Sequence, residues 1–214
     1  MDTQKTIKNL IQNNMQAYLL NDKSEVVPCL QNLIPNGSKV SMGDSITLKQ
    51  CGVIDFLKTG GYVFDDWQRP GITKDEIEEI NAKDKQADFY LCSSNAITED
   101  GELYNVDGRS NRISCIAHGP KKVIIISGVN KIVGNLEQAV YRVKTIAAPL
   151  NCKRLNFNNY CSETGKCVSL NKINSQMTDG CESQSRSCCN YLISGMQRVK
   201  NRITVLLINE NLGY

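Results

Sequence analysis

"KKVIIISGVNKIVGNLEQAVYRVKTIAAPL", residues 121–150, decides the fold. Val123, Ile124, Ile125 and Ile126 are four consecutive β-branched residues, a run that suits a strand buried on both faces of a parallel sheet. "SGVNKIVGN" (127–135) then reads as a polar loop. From there Leu136, Ala139, Val140, Val143, Ile146 and Ala147 recur at helical spacing, with Asn135 as the cap and Pro149 helping to stop the helix. Buried strand, loop and amphipathic helix are the repeating unit of an α/β fold.

The same alternation extends outward. "SKVSM" (38–42) reads as a strand ending at Gly43, followed by one helix over "DSITLKQCGVIDFLKTG" (44–60), capped by Asp44 or Ser45 and ended by Gly60-Gly61. "YVFDD" (62–66) is a second strand. Thr73 and Glu76 form a capping box for a helix with Ile77 and Ile80 turned inward. "ADFYLCSS" (87–94) and "RITVLLINE" (202–210) are further buried strands, and an amino-terminal helix places Ile7, Leu10, Ile11, Met15 and Tyr18 on one face. Residues 151–190 lack periodicity and read as an irregular lobe within a single domain spanning 1–214.

Composition narrows the function classes. The 214 residues are 41% hydrophobic and 22% charged, ordinary for a soluble globular protein. The net charge of +3 is spread among acidic residues, which argues against a nucleic-acid surface. The first twenty residues hold no uninterrupted apolar segment long enough for a signal peptide or a membrane span, so no membrane partner is expected and the expected location is cytoplasmic. No GxGxxG follows a strand, so no nicotinamide cofactor is expected.

Three polar segments compete for a site. In "MGDSIT" (42–47), Gly43 allows a tight turn, and Asp44, Ser45 and Thr47 open a helix whose free amides suit a phosphate or carboxylate; the plainer reading is a well-capped turn. "SSNAITEDGELYNVDGRSNR" (93–112) carries two turn dipeptides, Asp100-Gly101 and Asp107-Gly108, and "ITEDGELYNV" makes an acceptable hairpin. A hairpin alone does not explain why Asn95, Thr98, Glu99, Asn105, Asp107, Asn111 and Arg112 gather there. Parallel α/β sheets bind ligands outside the carboxyl ends of their strands. On that basis Glu99 or Asp107 is the candidate general base, and Arg112 the bidentate anion holder. Thr98, Asp100 and Gly108 complete that set. Gly128, Asn130 and Lys131 fall at the same edge, where Lys131 can neutralise a phosphate or carboxylate. The lone His118 precedes a Gly-Pro turn without identifiable partners and is left out.

Ten cysteines are many for a chain of this length. Cys29, Cys51, Cys92 and Cys115 sit among apolar neighbours and read as small buried hydrophobes. Cys161, Cys167, Cys181 and Cys188, with Cys189 adjacent, crowd a polar stretch. Four thiolates there can bind zinc or an iron–sulfur cluster; disulfides and free thiols are the competing readings.

Together "GDSITL", "DDWQRPGITKDEIEEI", "ADFYLCSSNAITEDGELYNVDGRSNRI", "GPKKVIIISGVNKIV", "AAPLNCKR" and "LINENLGY" resemble the lactate-utilization (LUD-domain) family, from about residue 5 to the end. The resemblance implies a Rossmann-like three-layer sandwich with a mostly parallel sheet, similar to ribose-5-phosphate isomerase, glucosamine-6-phosphate deaminase and the CoA transferases. It implies a component of L-lactate oxidation to pyruvate, working beside iron–sulfur partner proteins, in which oligomers are possible. The alternatives are an isomerase- or transferase-type enzyme for a phosphosugar or CoA ester, or a non-catalytic metabolite-binding subunit. Family members often carry C-x5-C-x2-C-x6-C. Here Cys161 and Cys167 match the first pair and Cys181 and Cys188 the second, with the longer "VSLNKINSQMTDG" (168–180) between them.

Overall fold

A computed structural model describes all 214 residues. Ten strands run in chain order: β1 (Gln16–Leu20), β2 (Lys39–Met42), β3 (Val63–Phe64), β4 (Phe89–Cys92), β5 (Ala96–Thr98), β6 (Leu103–Asp107), β7 (Lys122–Gly128), β8 (Ile132–Val133), β9 (Asn190–Ser194) and β10 (Ile203–Ile208). Six form an all-parallel sheet in the order β1-β10-β7-β4-β2-β3. The principal helices are α1 (Thr3–Gln12), α2 (Val26–Leu33), α3 (Ile46–Gln50), α4 (Val53–Thr59), α5 (Lys74–Lys83), α6 (Asn111–Ala117), α7 (Leu136–Arg142), α8 (Ala148–Arg154) and α9 (Tyr160–Thr164).

The β-branched run of β7 explains the layering. Ile124 and Ile126 pack with Leu30, Leu48, Val53 and Leu57 of α2, α3 and α4. Val123 and Ile125 point the other way, onto Leu10 of α1 and Cys115 and Ile116 of α6. A strand whose alternate residues both find apolar partners needs apolar residues throughout, hence the continuous run. The arrangement is a Rossmann-like three-layer fold. No helix is long and apolar enough to cross a membrane.

Three local expectations give way. The helix expected over 44–60 is two helices, because Gly52 takes a left-handed φ of 68° between α3 and α4. The amino-terminal helix ends at Gln12, and Tyr18 lies instead on edge strand β1, paired with Leu206. Pro149 does not stop its helix. It occupies the first turn of α8, after a π-helical turn at Val143–Ala147 that accommodates a residue with no N–H to give. The hairpin expected over "ITEDGELYNV" forms as β5 and β6, and it belongs to a second sheet, ordered β8-β5-β6-β9, that packs on Ala139, Val143 and Ala147.

That second sheet redirects the chain. After β4 the backbone leaves the parallel sheet at Ser93 to Asn95 and enters β5. The hairpin turn lands on α1: Asn9 Nδ2 donates to the Glu99 carbonyl at 2.8 Å, and Asn13 Nδ2 to the Gly101 carbonyl at 2.9 Å. Gly101 has a φ of 80°, and a Cβ there would come within 2.6 Å of the Leu10 amide nitrogen, so only glycine lets the turn close on the helix.

Candidate functional site

From β2 the chain runs out to the edge at β3, then returns through β4, β7 and β10 toward β1. The direction reverses between β2 and β4, and the crevice at such a switch point is where open α/β sheets bind ligands. A polar chamber of about 100 Å³ lies there, lined by Asp44, Ser45 and Thr47 after β2, Ser93 to Asn95 after β4, Lys131 after β7, and Gly213 and Tyr214 after β10. It adjoins a wider cleft of about 560 Å³ that adds Gly108, Arg109, Asn111, Arg186 and Ser187. Asp44, Asn95, Asp107, Arg112, Asn151 and Arg154 line both.

Lys131 is the innermost cation, with 3% of its surface exposed. Its Nζ donates to Thr47 Oγ1 at 3.0 Å and to Ser93 Oγ at 2.9 Å. No carboxylate pairs with it. Burial, with the nearby guanidiniums of Arg142 and Arg112, lowers its pKa to about 7. A lysine with hydroxyl partners alone can alternate between cation and neutral amine near neutral pH.

Arg112 has a different role from the one its sequence position suggested. Its guanidinium is spent on the protein: Nη1 donates to the Ser93 carbonyl (3.0 Å) and Asn105 Oδ1 (2.5 Å). Nη2 donates to Asn95 Oδ1 (2.9 Å), the Val106 carbonyl (3.1 Å) and Asp107 Oδ1 (2.7 Å). Asp107 Oδ2 accepts the Ile113 amide at 2.9 Å, holding the first turn of α6. The pair therefore braces the chamber wall, and neither Asp107 as a free base nor Arg112 as an open fork fits these contacts.

Of the other expected residues, Asp44, Ser45, Thr47, Asn95, Gly108, Asn111 and Lys131 come together around the chamber and cleft. Gly43 sits behind Arg112, where a Cβ would lie 2.9 Å from the Tyr90 hydroxyl. Asn130 and Gly128 serve the carboxyl-terminal segment: Asn130 Oδ1 accepts the Leu212 amide at 3.1 Å, and a Cβ at Gly128 would meet Leu212 N at 2.7 Å. Thr98, Glu99 and Asp100 are not brought to the cleft. Glu99 accepts from the Asp2 amide at 2.8 Å and Lys5 Nζ at 3.2 Å, contacts that hold its carboxyl below the usual range. Thr98 bonds Glu102, and the Asp100 carbonyl takes Asn13. The strand pattern alone places Glu99 at the end of β4, whereas the turn into β5 takes it to α1.

Residues that sequence reasoning passed over complete the site. Arg142, 5% exposed, donates to the Asn95 carbonyl at 2.7 Å from within a helix whose apolar stripe masked it. Arg154 joins Asp44 Oδ2 (2.5 Å), Asn151 Oδ1 (2.8 Å) and the Tyr214 hydroxyl (2.7 Å), tying α8 to the carboxyl-terminal residues at the chamber's edge. "NCKR" and "LGY" are the only signals, and neither has a diagnostic spacing.

All ten cysteines are free. Burial pushes the thiols of Cys51 to about 11, Cys92 to about 12 and Cys115 to about 11, as inert core residues require. Cys161, Cys167, Cys181 and Cys188 line one small cavity of about 20 Å³, so the longer 168–180 segment does not separate them. That segment is tied back by Lys144 Nζ, which donates to the Gln176 carbonyl at 2.7 Å. The thiols nevertheless do not stand as a ready metal-ligand group. Cys161 donates to Asn159 Oδ1 (3.3 Å), Cys167 contacts Ser169 Oγ (3.3 Å), and Cys188 Sγ accepts from Arg186 Nε (3.3 Å). Cys152, unassigned by its pattern, lies beside Cys161 and 3.0 Å from Ser187 Oγ; hydrogen bonding by Cys161 holds the Cys152 thiol below its usual range.

A parallel α/β sheet carrying a polar chamber at its switch point defines a Rossmann-like three-layer domain. The family profile described as "LUD domain" matches residues 3–208, and the chain belongs to the LUD-domain family. A DUF162 family protein from Deinococcus radiodurans, solved at 1.70 Å, is similar in structure, with a TM-score of 0.52 at 13% identity over 96% of this chain and 94% of that one. eIF2B delta from Chaetomium thermophilum aligns with a TM-score of 0.34 at 14% identity over 52% of this chain and 48% of that one, a likeness too low to bear on the fold. No curated protein matches the chain. Membership of the family implies a function related to lactate utilization.

Proposed function

We propose that the chain is a component of L-lactate oxidation to pyruvate and that its chamber holds a small anionic metabolite, the 2-hydroxy or 2-oxo acid itself. The observation that carries this reading is Lys131, an amine buried without a carboxylate among the hydroxyls of Thr47 and Ser93, in a chamber of about 100 Å³. Such a cavity has room for a ligand of a few heavy atoms. The hydroxyls of Thr47 and Ser93 hydrogen-bond the ligand's carboxylate in the positive field of Arg112 and Arg154, and Lys131 faces its second oxygen function. Arg112 and Asp107 keep the walls fixed, and Arg154 with Tyr214 lines the chamber's carboxyl-terminal side.

The thiol-lined cavity is the place for a zinc ion or iron–sulfur cluster within this reading. Its volume of about 20 Å³ admits a single ion, with Cys161, Cys167, Cys181 and Cys188 as the donors, and a cluster would need the 168–180 segment to move outward. Their present hydrogen bonds to Asn159, Ser169 and Arg186 must be exchanged for ligation, and thiolates are the form that binds. A bound cluster would supply one-electron transfer to iron–sulfur redox partner proteins; zinc would fix the lobe.

A second reading has its own support. The adjoining cleft of about 560 Å³ falls within the usual range for ligand sites and carries Arg109, Arg154 and Arg186, which suits a phosphosugar or CoA ester. Lactate-dependent reduction of an electron acceptor separates the two. Reduction that needs both this chain and its redox partners supports lactate oxidation. Absence of lactate dependence in the mixture counts against it, and turnover of a phosphosugar or CoA ester by the chain alone favours the second reading.

A further inference from the structure

We infer that Lys131 is a carbonyl-capturing nucleophile, whose ε-amine in the chamber adds to the ketone of a small 2-oxo acid and holds it as an imine. This rests on the reading that the chamber takes a small acid, and it goes further by assigning covalent chemistry to one atom.

Geometry carries the argument. An amine destined for imine chemistry must be free of carboxylates, since an ion pair would hold it as ammonium, and it must face a cavity. Lys131 meets both conditions: its only side-chain partners are two neutral hydroxyls, and it lines the chamber. Space over the amine is kept open by Gly213, whose φ is 58°. A Cβ there would collide with Thr47 Oγ1 and stand 3.4 Å from Lys131 Nζ. Burial and the two neighbouring guanidiniums make the neutral amine accessible near pH 7, in line with this role.

The step balances without a cofactor. The amine lone pair forms the N–C bond to the ketone carbon as the C=O π bond breaks, and the oxygen takes the proton that the nitrogen loses, giving a neutral carbinolamine. Loss of that oxygen as water, with one further proton from solvent, leaves a protonated imine. Ser93 and Thr47 are the hydroxyls placed to pass those protons at Nζ, and nothing is oxidised or reduced. The iminium charge then sits beside the acid's own carboxylate.

The test is borohydride trapping with pyruvate on the full chain, read by intact mass and peptide mapping. The expected result is one carboxyethyl adduct on the peptide bearing Lys131, absent in Lys131→Arg and reduced in Gly213→Val, which crowds the amine. Because Lys131→Arg alters a buried site, the mapping of the unmodified protein stands as evidence by itself. Pyruvate binding is followed in parallel by ligand-observed NMR without borohydride. Binding without an adduct, or adducts only on other lysines, overturns the covalent assignment while leaving the chamber as an acid site. Neither binding nor adduct overturns both.

Discussion

Ser93 serves both Lys131 and Arg112: its hydroxyl accepts from Lys131 Nζ at 2.9 Å, and its carbonyl accepts from Arg112 Nη1 at 3.0 Å. The first residue beyond β4 thus links the buried amine to the braced wall. Thr47, in α3, grips the same amine from the opposite side at 3.0 Å. Elements following β2, β4 and β7 meet at one nitrogen, so the chamber's geometry depends on the register of the whole parallel sheet.

Lys131 should make stability depend on pH. The amine is neutral in the folded protein above about pH 7 and protonated in the unfolded chain up to its ordinary value of 10.5. Unfolding therefore takes up a proton in that window, and this contribution to stability rises with pH. Arg142 and Arg112 face the amine as permanent cations, and the Cys51 and Cys92 thiols stay protonated. Urea unfolding of the protein and of Lys131→Met, compared from pH 7 to about 8.5, should show a stability difference changing by up to about 1.4 kcal/mol per pH unit. The wild type gains relative to the variant as pH rises. A difference that does not change with pH removes the amine from this role.

Asp107→Ala should be severe. It leaves Arg112 buried without its only anionic partner and frees the Ile113 amide at the start of α6. Breaking a buried ion pair from one side costs about 3–5 kcal/mol, measurable as a drop in the urea midpoint. A loss no larger than that of a surface carboxylate would show that the wall is not braced as described.

Glu99→Gln tests the relocation of a residue whose sequence position suggested a base. Its contacts are Lys5 and the Asp2 amide, so ligand affinity should be unchanged while Tm falls slightly from loosening of α1. Weakened affinity for a chamber ligand would return Glu99 to the site.

Cys181→Ser should lower the metal content of protein purified without oxygen, measured by elemental analysis with a visible spectrum. Iron with sulfide identifies a cluster, and zinc in a colourless protein identifies a structural ion. Full metal occupancy in the variant rules out the four-thiolate cavity.

The sequence made the parallel sheet readable because its central strands are buried on both faces and must be apolar throughout, as Val123 to Ile126 are. The capping box at Thr73 and Glu76 was equally plain, since its two hydrogen bonds lie within one turn. Harder to see was anything fixed by distant partners. Whether Glu99 faced the cleft depended on the β5–β6 hairpin closing on α1, a contact 90 residues away in sequence between Asn9 and Glu99. Arg142 and Arg154 carry no diagnostic signal of their own in the sequence, because their partners, the Asn95 carbonyl, Asp44 and Tyr214, are all distant along the chain. Lys131 was found because it follows the most buried strand, although its isolation from carboxylates is a three-dimensional property.

Calorimetric titration of the protein and of Lys131→Met with L-lactate and with pyruvate tests the central claim most directly. The chamber assignment predicts that the wild type binds at least one of the two acids and that the variant binds it at least about tenfold more weakly, a loss of about 1.4 kcal/mol. Undiminished affinity in the variant, or no binding of either acid to the wild type, would contradict it.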